Sequence, residues 1–341
     1  HNRKESYMTD LATDEDRWLE WRKGGITATD VADAAQGTYG GAYGVVARKL
    51  GLITVEQNNA MRRGHIWQPR IADAVHALTG QFVVGEETWC VNSDNDMIRA
   101  TIDGFLSPID TADFDDVVGV LEVKTRGRGV RPNYDRHLDQ MQWQMLATGL
   151  DVALLAEAVI EDTPDPEDSV LASLYLSEVQ ADPVRQEHLL GVAQRLWLHI
   201  EAGTLPDPDE ASALDIVKRV WSDADPEAPE VDLTDLDHDI ARLVQIKAAQ
   251  KLVKDEHDQI EARISNTVGE AKGGESERFR VSVSNPANVL TAEAEARLCK
   301  QYPELTVVTL DRTAFKSAHQ DIYKASTSPV GSRRVTIKEK N

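Results

Sequence analysis

Two cysteines, Cys90 and Cys299, are all that 341 residues contain. That is too few for a disulfide framework or for a four-thiolate zinc or iron–sulfur site. A reducing cytoplasm is the simple reading, with both as buried thiols. The nine histidines include no HxH or HxxxH pair, which removes a histidine-based zinc centre. No GxxxxGKS/T loop occurs, so the chain encodes no P-loop ATPase. No apolar run reaches membrane-spanning length and no secretory signal is present, so no membrane partner is expected. His1 to Tyr7 reads as a vector-derived leader, with the natural start at Met8.

Positive charge is scarce too. Lys and Arg number 37 against 58 Asp and Glu, for a net charge of -21. An acidic chain repels phosphate, so nucleic-acid binding would need a focused basic patch or metal ions. Basic residues do gather locally at Arg22-Lys23, at Arg62-Arg63 and from Lys124 to Arg131. The acidic excess lies elsewhere, at Asp162 to Asp168 and Asp223 to Asp239. The seven tryptophans read as core rather than as base-stacking platforms.

What is present is an alternation of helical and strand patterns. Asp14 to Arg22 suits a helix with Trp18 and Trp21 turned inward. Gly24-Gly25 breaks it, and Thr27 or Thr29 can cap the next helix. That free helix start, beside Arg22, is a candidate phosphate seat. Ala42 to Leu50 and Ala60 to Leu78 read as helices, with Pro69 placing the true start of the second near Trp67. Gln81 to Trp89 and Met97 to Leu106 read as strands, followed by the strand around Val117 to Lys124. A helix from His137 to Leu146 feeds the strand Val152 to Ile160; Leu171 to Glu178 is a further strand and Pro183 to Ala202 a helix. The order gives an α/β core with a mixed sheet. Residues 223–235 form an acidic, Pro-containing linker. Residues 236–341 hold one long charged helix or a helical hairpin over Leu236 to Val268, then a small α+β region with strands at Arg278 to Ser284 and Arg333 to Lys338 around a helix from Ala292 to Tyr302.

The chemistry concentrates at Leu121-Glu122-Val123-Lys124. Alternation along a strand puts Glu122 and Lys124 on one face. Asp103 precedes Glu122 by 19 residues (122 − 103), the span of a strand, a loop and a neighbouring strand. Antiparallel pairing would bring the two carboxylates together, where they repel unless a cation sits between them. A divalent metal with Lys124 orienting a water is the functional reading; a Glu–Lys pair on an ordinary strand is the structural one.

The ordered set Trp18, Arg22, Ile26-Thr27-Ala28-Thr29, Arg63-Gly64 with Gln68, Thr101-Ile102-Asp103-Gly104, Leu121 to Lys124 and Gln140-Met141-Gln142 resembles the phage lambda exonuclease family, the YqaJ-like viral recombinases of the PD-(D/E)xK nuclease clan. The resemblance spans about residues 14–205 and implies an exonuclease domain over 8–222 with a mixed central sheet flanked by helices. It implies a 5′-to-3′ exonuclease on linear double-stranded DNA ends, using Mg²⁺ (with Mn²⁺ as a substitute), two ions per site. By the same resemblance Asp103, Glu122 and the Val123 carbonyl would hold metal, and Lys124 would position the water. Gln142 would support the site with Gln140 beside it. Arg22, Thr29 and Thr101 would grip a 5′-phosphate, and Arg63, Arg126 and Arg128 would meet the DNA backbone. Family members form rings, and a homo-oligomeric ring with a basic lumen would reconcile the acidity with DNA binding. A single-strand annealing protein is the implied partner. The chain departs from the family at Ile102, where motif I has proline, and at Gln68, where a glutamate is expected. Gln68 leaves open a catalytically weakened protein that binds DNA ends, and the clan core leaves open an endonuclease.

Overall fold

A computed structural model describes residues 7–8, 15–54, 59–111, 113–161, 163, 169–222, 227, 229, 231–284, 288–303, 312–329 and 334–339. The chain divides into two compact units, His1–Ala228 and Pro229–Asn341.

The first unit begins with a short strand β1 (Tyr7–Met8), helix α1 (Glu15–Lys23) and strand β2 (Ile26–Thr27). Helices α2 (Ala28–Ala35), α3 (Gly41–Lys49) and α4 (Asn59–Thr79) follow. Then come β3 (Phe82–Val84), β4 (Thr88–Val91), β5 (Ile98–Ile102), β6 (Gly104–Ser107) and β7 (Gly119–Gly127). Helix α5 (Tyr134–Thr148), strands β8 (Val152–Glu161) and β9 (Val170–Gln180), and helices α6 (Pro183–Ala202) and α7 (Ala213–Val220) complete it. The main sheet runs β3-β6-β7-β8-β9 and is mixed, because β7 and β8 are parallel and the other neighbours antiparallel. A second sheet runs β1-β4-β5-β2.

Two of the strands read from the sequence are each two strands. Gln81 to Trp89 breaks at a turn where Gly85 (φ +60°) and Glu87 (φ +55°) take left-handed backbone. Met97 to Leu106 breaks at Asp103. The breaks fall in step, so β4 and β5 pair in one sheet while β3 and β6 pair in the other. Asp103 therefore sits where a hairpin passes from sheet to sheet, and its carboxylate Oδ2 accepts from the Val123 N–H at 2.8 Å.

Helix α4 does not start near Trp67. It runs unbroken through Pro69. A proline there forfeits the bond to the His65 carbonyl, a cost of about 3 kcal/mol. Trp67, Ile71 and Val75 offset it by packing against Leu121, Ala156, Ala158 and Ile160 on one face of the sheet. The other face is covered by α2, α5 and α6, where Val31, Met141, Met145, Leu189 and Val192 meet Phe105, Val120 and Leu155. Helix α5 ends where Gly149 takes the left-handed conformation (φ +71°) that closes its last turn. Cys90 is buried as expected, whereas Cys299 is only half-buried.

The second unit starts with one continuous helix, α8 (Asp237–Val268), rather than a hairpin. Strands β10 (Gly273–Glu275), β11 (Phe279–Ser284) and β12 (Asn288–Leu290), helices α9 (Ala292–Gln301), α10 (Arg312–Ala318) and α11 (Gln320–Ala325), and strands β13 (Thr327–Pro329) and β14 (Arg334–Glu339) follow. β10, β11 and β14 form one antiparallel sheet, and β12 pairs with β13. Leu290, Ala294, Leu298 and Phe315 form the small core of this unit. The Arg333 expected at the head of the tail strand, most of the Asp162 to Asp168 loop, and residues 223–226, 228 and 230 of the acidic stretch lie outside the described residues.

Candidate functional site

The site is built where β6 and β7 run antiparallel. Gly104 lies opposite Leu121, which sets Asp103 opposite Glu122. Glu122 has no solvent exposure. A buried carboxylate costs several kcal/mol unless it is paired and hydrogen-bonded, and Glu122 is both. Lys124, next on the same strand face and a quarter exposed, donates to Oε1. Gln140 Nε2 donates to the same oxygen at 2.7 Å, and Gln144 Nε2 donates to Oε2 at 2.5 Å. Both amides come from α5 and lie four residues apart, on one helix face. The carbonyl oxygens Gln140 Oε1 and Gln144 Oε1 are buried without a hydrogen-bond partner.

Asp103 completes the constellation. Burial raises its carboxyl pKa to about 7; the nearby Glu122 charge adds to the rise, and Lys124 and the Val123 amide pull against it. Gln68, from α4, donates through Nε2 to the Asp103 carbonyl at 3.3 Å. The donor set is all oxygen: two carboxylates facing each other with a backbone carbonyl between Glu122 and Lys124 in sequence. Mg²⁺ and Mn²⁺ take such donors, and Mg²⁺ sites use only one or two carboxylates because the ion keeps waters. Two carboxylates facing each other, with Glu122 fully buried, favour a cation between them, so these residues fit a divalent ion. The other grouping with ligand geometry among the described residues, His257, Asp258 and Glu261, is a surface feature of α8 in which Lys254 already pairs with Asp258.

The start of α2, where the sequence suggests a phosphate seat, is tied to the strand that leads to Asp103. Thr27 is the N-cap, and its N–H and hydroxyl both donate to Asp30 Oδ2, at 3.0 and 2.6 Å. Burial pushes the Asp30 carboxyl up, but the Lys49 and Arg22 cations outweigh it and hold the group well below the usual carboxylate range. Arg22 lies over the Trp18 ring at 4.7 Å and donates to the Thr27 hydroxyl at 3.1 Å. Trp18 Nε1 in turn donates to Thr101 Oγ1 at 3.3 Å. Trp18 and Trp21 are thus half-buried rather than core, Trp21 stacking on Trp89. Gly25 is required here, because a Cβ would stand 2.6 Å from the Met97 carbonyl. Thr29 sits half-buried in the first turn of α2. Gln144 joins the two halves: the amide that holds Glu122 also donates to the Thr101 carbonyl at 3.4 Å.

The glutamine placement differs from the expectation. Gln142 lies on the far side of α5, where its amide donates to the Gln180 carbonyl and its carbonyl accepts from the Asp182 N–H, both at 2.8 Å. It ties α5 to the end of β9 and the start of α6. Gln144, which sequence reasoning passed over, takes the place at Glu122 beside Gln140. His137 was also missed. It stands on the same helix stripe, three residues before Gln140, with a buried Nδ1 that has no hydrogen-bond partner. Burial, aided by Lys124 and Arg136, pushes it down to about 4, so it is neutral at physiological pH. The 137–140–144 spacing was the available signal. Glu157 is a third. Opposite Lys124 on β8 and buried, it accepts from Arg126 Nε at 2.8 Å. Among the other expected backbone contacts, Arg128 is exposed and paired with Glu161, and Arg63 is half-buried on α4.

Residues 17–151 match the model of the YqaJ-like viral recombinase domain. No curated protein matches the chain. Among solved structures, an alkaline exonuclease, LHK-Exo from Laribacter hongkongensis, is 21% identical, with 61% of this chain and 98% of that one covered and a TM-score of 0.41. The same enzyme in complex with dAMP gives 20% identity, the same coverage and a TM-score of 0.42. A phage-related exonuclease from Haemophilus somnus 129PT is 12% identical, covering 52% of this chain and 96% of that one, with a TM-score of 0.39. The match over residues 17–151 takes in Arg22, Asp103, Glu122, Lys124 and the whole of α5, so this part of the chain is similar to the YqaJ-like viral recombinase domain.

Proposed function

We propose that the chain is a Mg²⁺-dependent 5′-to-3′ exonuclease that degrades one strand from linear double-stranded DNA ends and leaves 3′ single strands for annealing-type recombination. The observation that carries this reading is the union of the Asp103–Glu122–Lys124 constellation with the Arg22–Thr101 seat through one amide, Gln144. A 5′-phosphate held by Arg22, Thr29 and Thr101 would present the first phosphodiester to the carboxylates. That juxtaposition makes cutting depend on an end.

Asp103, Glu122 and the Val123 carbonyl would hold the metal. When bound, a divalent ion lowers the pKa of water and offsets charge on the phosphate and leaving oxygen. Lys124 orients the attacking water on the face it shares with Glu122. Gln140 and Gln144 hold the Glu122 carboxylate in one rotamer, so no reorganisation is needed as charge develops. Arg126, fixed by Glu157, Arg128 and Arg63 would meet the backbone of the duplex. A homo-oligomer, ring-shaped in the family pattern, and a single-strand annealing partner belong to the same proposal.

Gln68 favours a second reading, a DNA-end-binding protein with weakened catalysis, because a neutral amide brings no charge to the Asp103 side of the site. One assay separates the two. Linear duplex with a 5′-phosphate and closed circular duplex are incubated with Mg²⁺ or EDTA, using this chain and Gln68→Glu. Metal-dependent loss of only the linear DNA is expected. Retention of both DNAs by both chains, with a gel shift of the linear one, would leave the binding reading in place.

A further inference from the structure

We propose that Lys49 is the positioning residue of the α2 seat: it takes up the charge of Asp30 and so leaves the Arg22 guanidinium for the 5′-phosphate of a DNA end. This deepens the proposed end recognition and rests on it. Lys49 stands outside every motif that marks the site in the sequence. It is the last residue of α3, and its side chain is 5% exposed. An ammonium so buried is costly unless each N–H is met. Three oxygens meet it. Nζ donates to the Arg22 carbonyl at 2.5 Å and to the Gly25 carbonyl at 2.7 Å, and it lies 2.7 Å from Asp30 Oδ2. One side chain from α3 thus brackets the turn between α1 and β2 and reaches the cap of α2.

Two cations face one carboxylate here, and they are placed differently. Asp30 Oδ2 is occupied by Lys49 and by the N–H and hydroxyl of Thr27. Arg22 approaches the other oxygen, Oδ1, only to 3.6 Å, and its side chain is 26% exposed. Its hydrogen bond goes to the Thr27 hydroxyl, and the Trp18 ring lies under its face. Lys49 is too enclosed and too fully bonded to reach a ligand, whereas Arg22 has an open side. Without the ammonium, the buried Asp30 charge would keep a single cation. Coulomb attraction would then draw Arg22 onto Oδ1 and away from the seat. A purely structural lysine would behave otherwise: its loss would cost stability and leave the preference for a phosphorylated end unchanged.

The test reads binding rather than cutting. Fluorescent linear duplexes with a 5′-phosphate or a 5′-hydroxyl are titrated with the full chain in EDTA. The readout is the ratio of the two dissociation constants, with circular dichroism as the check of folding. Lys49→Met is expected to lower the wild-type preference for the 5′-phosphate about tenfold, the worth of one charge-assisted contact. Adding Asp30→Asn to Lys49→Met should restore the preference, because a neutral amide can still cap Thr27 but no longer holds Arg22. Asp30→Asn alone, which keeps Lys49, should match or exceed the wild type. Lys49→Met with the wild-type ratio overturns the proposal. So does a folded double variant that keeps the loss, or an Asp30→Asn protein that shows it. A wild-type ratio near one, equal to that of Arg22→Ala, removes the seat itself and the proposal with it.

Discussion

Helices α5 and α8 make opposite use of side chains. Along α5, Asp139, Gln140, Gln142 and Gln144 are polar and buried. Along α8, Ile240, Leu243, Val244, Ile246 and Val253 are apolar and exposed. Each of these four side chains makes at least one hydrogen bond that offsets its burial: to Glu122 for Gln140 and Gln144, to Gln180 and Asp182 for Gln142, and to Arg185 and Gln36 for Asp139. No such compensation exists for an apolar side chain left in water. A buried polar stripe is therefore held by partners inside the fold, whereas the apolar side chains along α8 are exposed.

The comparison breaks first at the carboxylates. Asp103→Asn or Lys124→Ala should lower the rate of metal-dependent digestion on the order of a thousandfold while leaving the circular dichroism spectrum unchanged. Digestion that persists would remove β7 from the chemistry and reduce Glu122–Lys124 to a structural pair.

The two kinds of glutamine give a sharper test. Gln144→Leu strands a Glu122 oxygen without its donor, a loss of about 1–3 kcal/mol. It should depress both melting temperature and turnover. Gln142→Leu should lower only the melting temperature, because its partners are the ends of β9 and α6. Equal kinetic losses in the two would show that α5 acts as a rigid whole.

A smaller effect follows from pH. Asp103 has a folded-state pKa of about 7, above the ordinary 3.8. The folded state then binds the proton more tightly than the unfolded one. Its stabilising contribution is present below the unfolded value and is lost as pH rises toward 7. In EDTA, the melting temperature of Asp103→Asn minus that of the wild type should therefore grow between pH 4 and pH 7, by roughly 2–4 °C for each kcal/mol involved. Adding Mg²⁺ at pH 8 should raise the wild type alone. A pH-independent difference would mean that burial beside Glu122 does not raise the Asp103 carboxyl.

The smallest effect concerns the seat. Arg22→Ala should reduce the preference for 5′-phosphate over 5′-hydroxyl ends without abolishing digestion, measured as the ratio of initial rates on the two duplexes. An unchanged ratio would detach the α2 N-terminus from end recognition.

The sequence by itself determined the order of elements, the pairing of Asp103 with Glu122 and the shared face of Glu122 and Lys124. Those follow from local rules: strand alternation, the length of a hairpin and the breaking power of glycine pairs. It also determined that α8 is helical and charged. Which glutamine meets Glu122 was beyond it. Three glutamines two residues apart differ by about 200° around a helix, and only the contact between α5 and β7 selects Gln140 and Gln144 over Gln142. The break of each long strand at Asp103 and Gly85 was equally hidden, because it depends on two sheets claiming the two ends of one hairpin. The passage of α4 through Pro69 was decided by the buried contacts on either side, which outweigh one lost hydrogen bond. Local propensity writes the elements; long-range burial of polar groups, which requires partners far apart in the chain, is what only the tertiary structure decides.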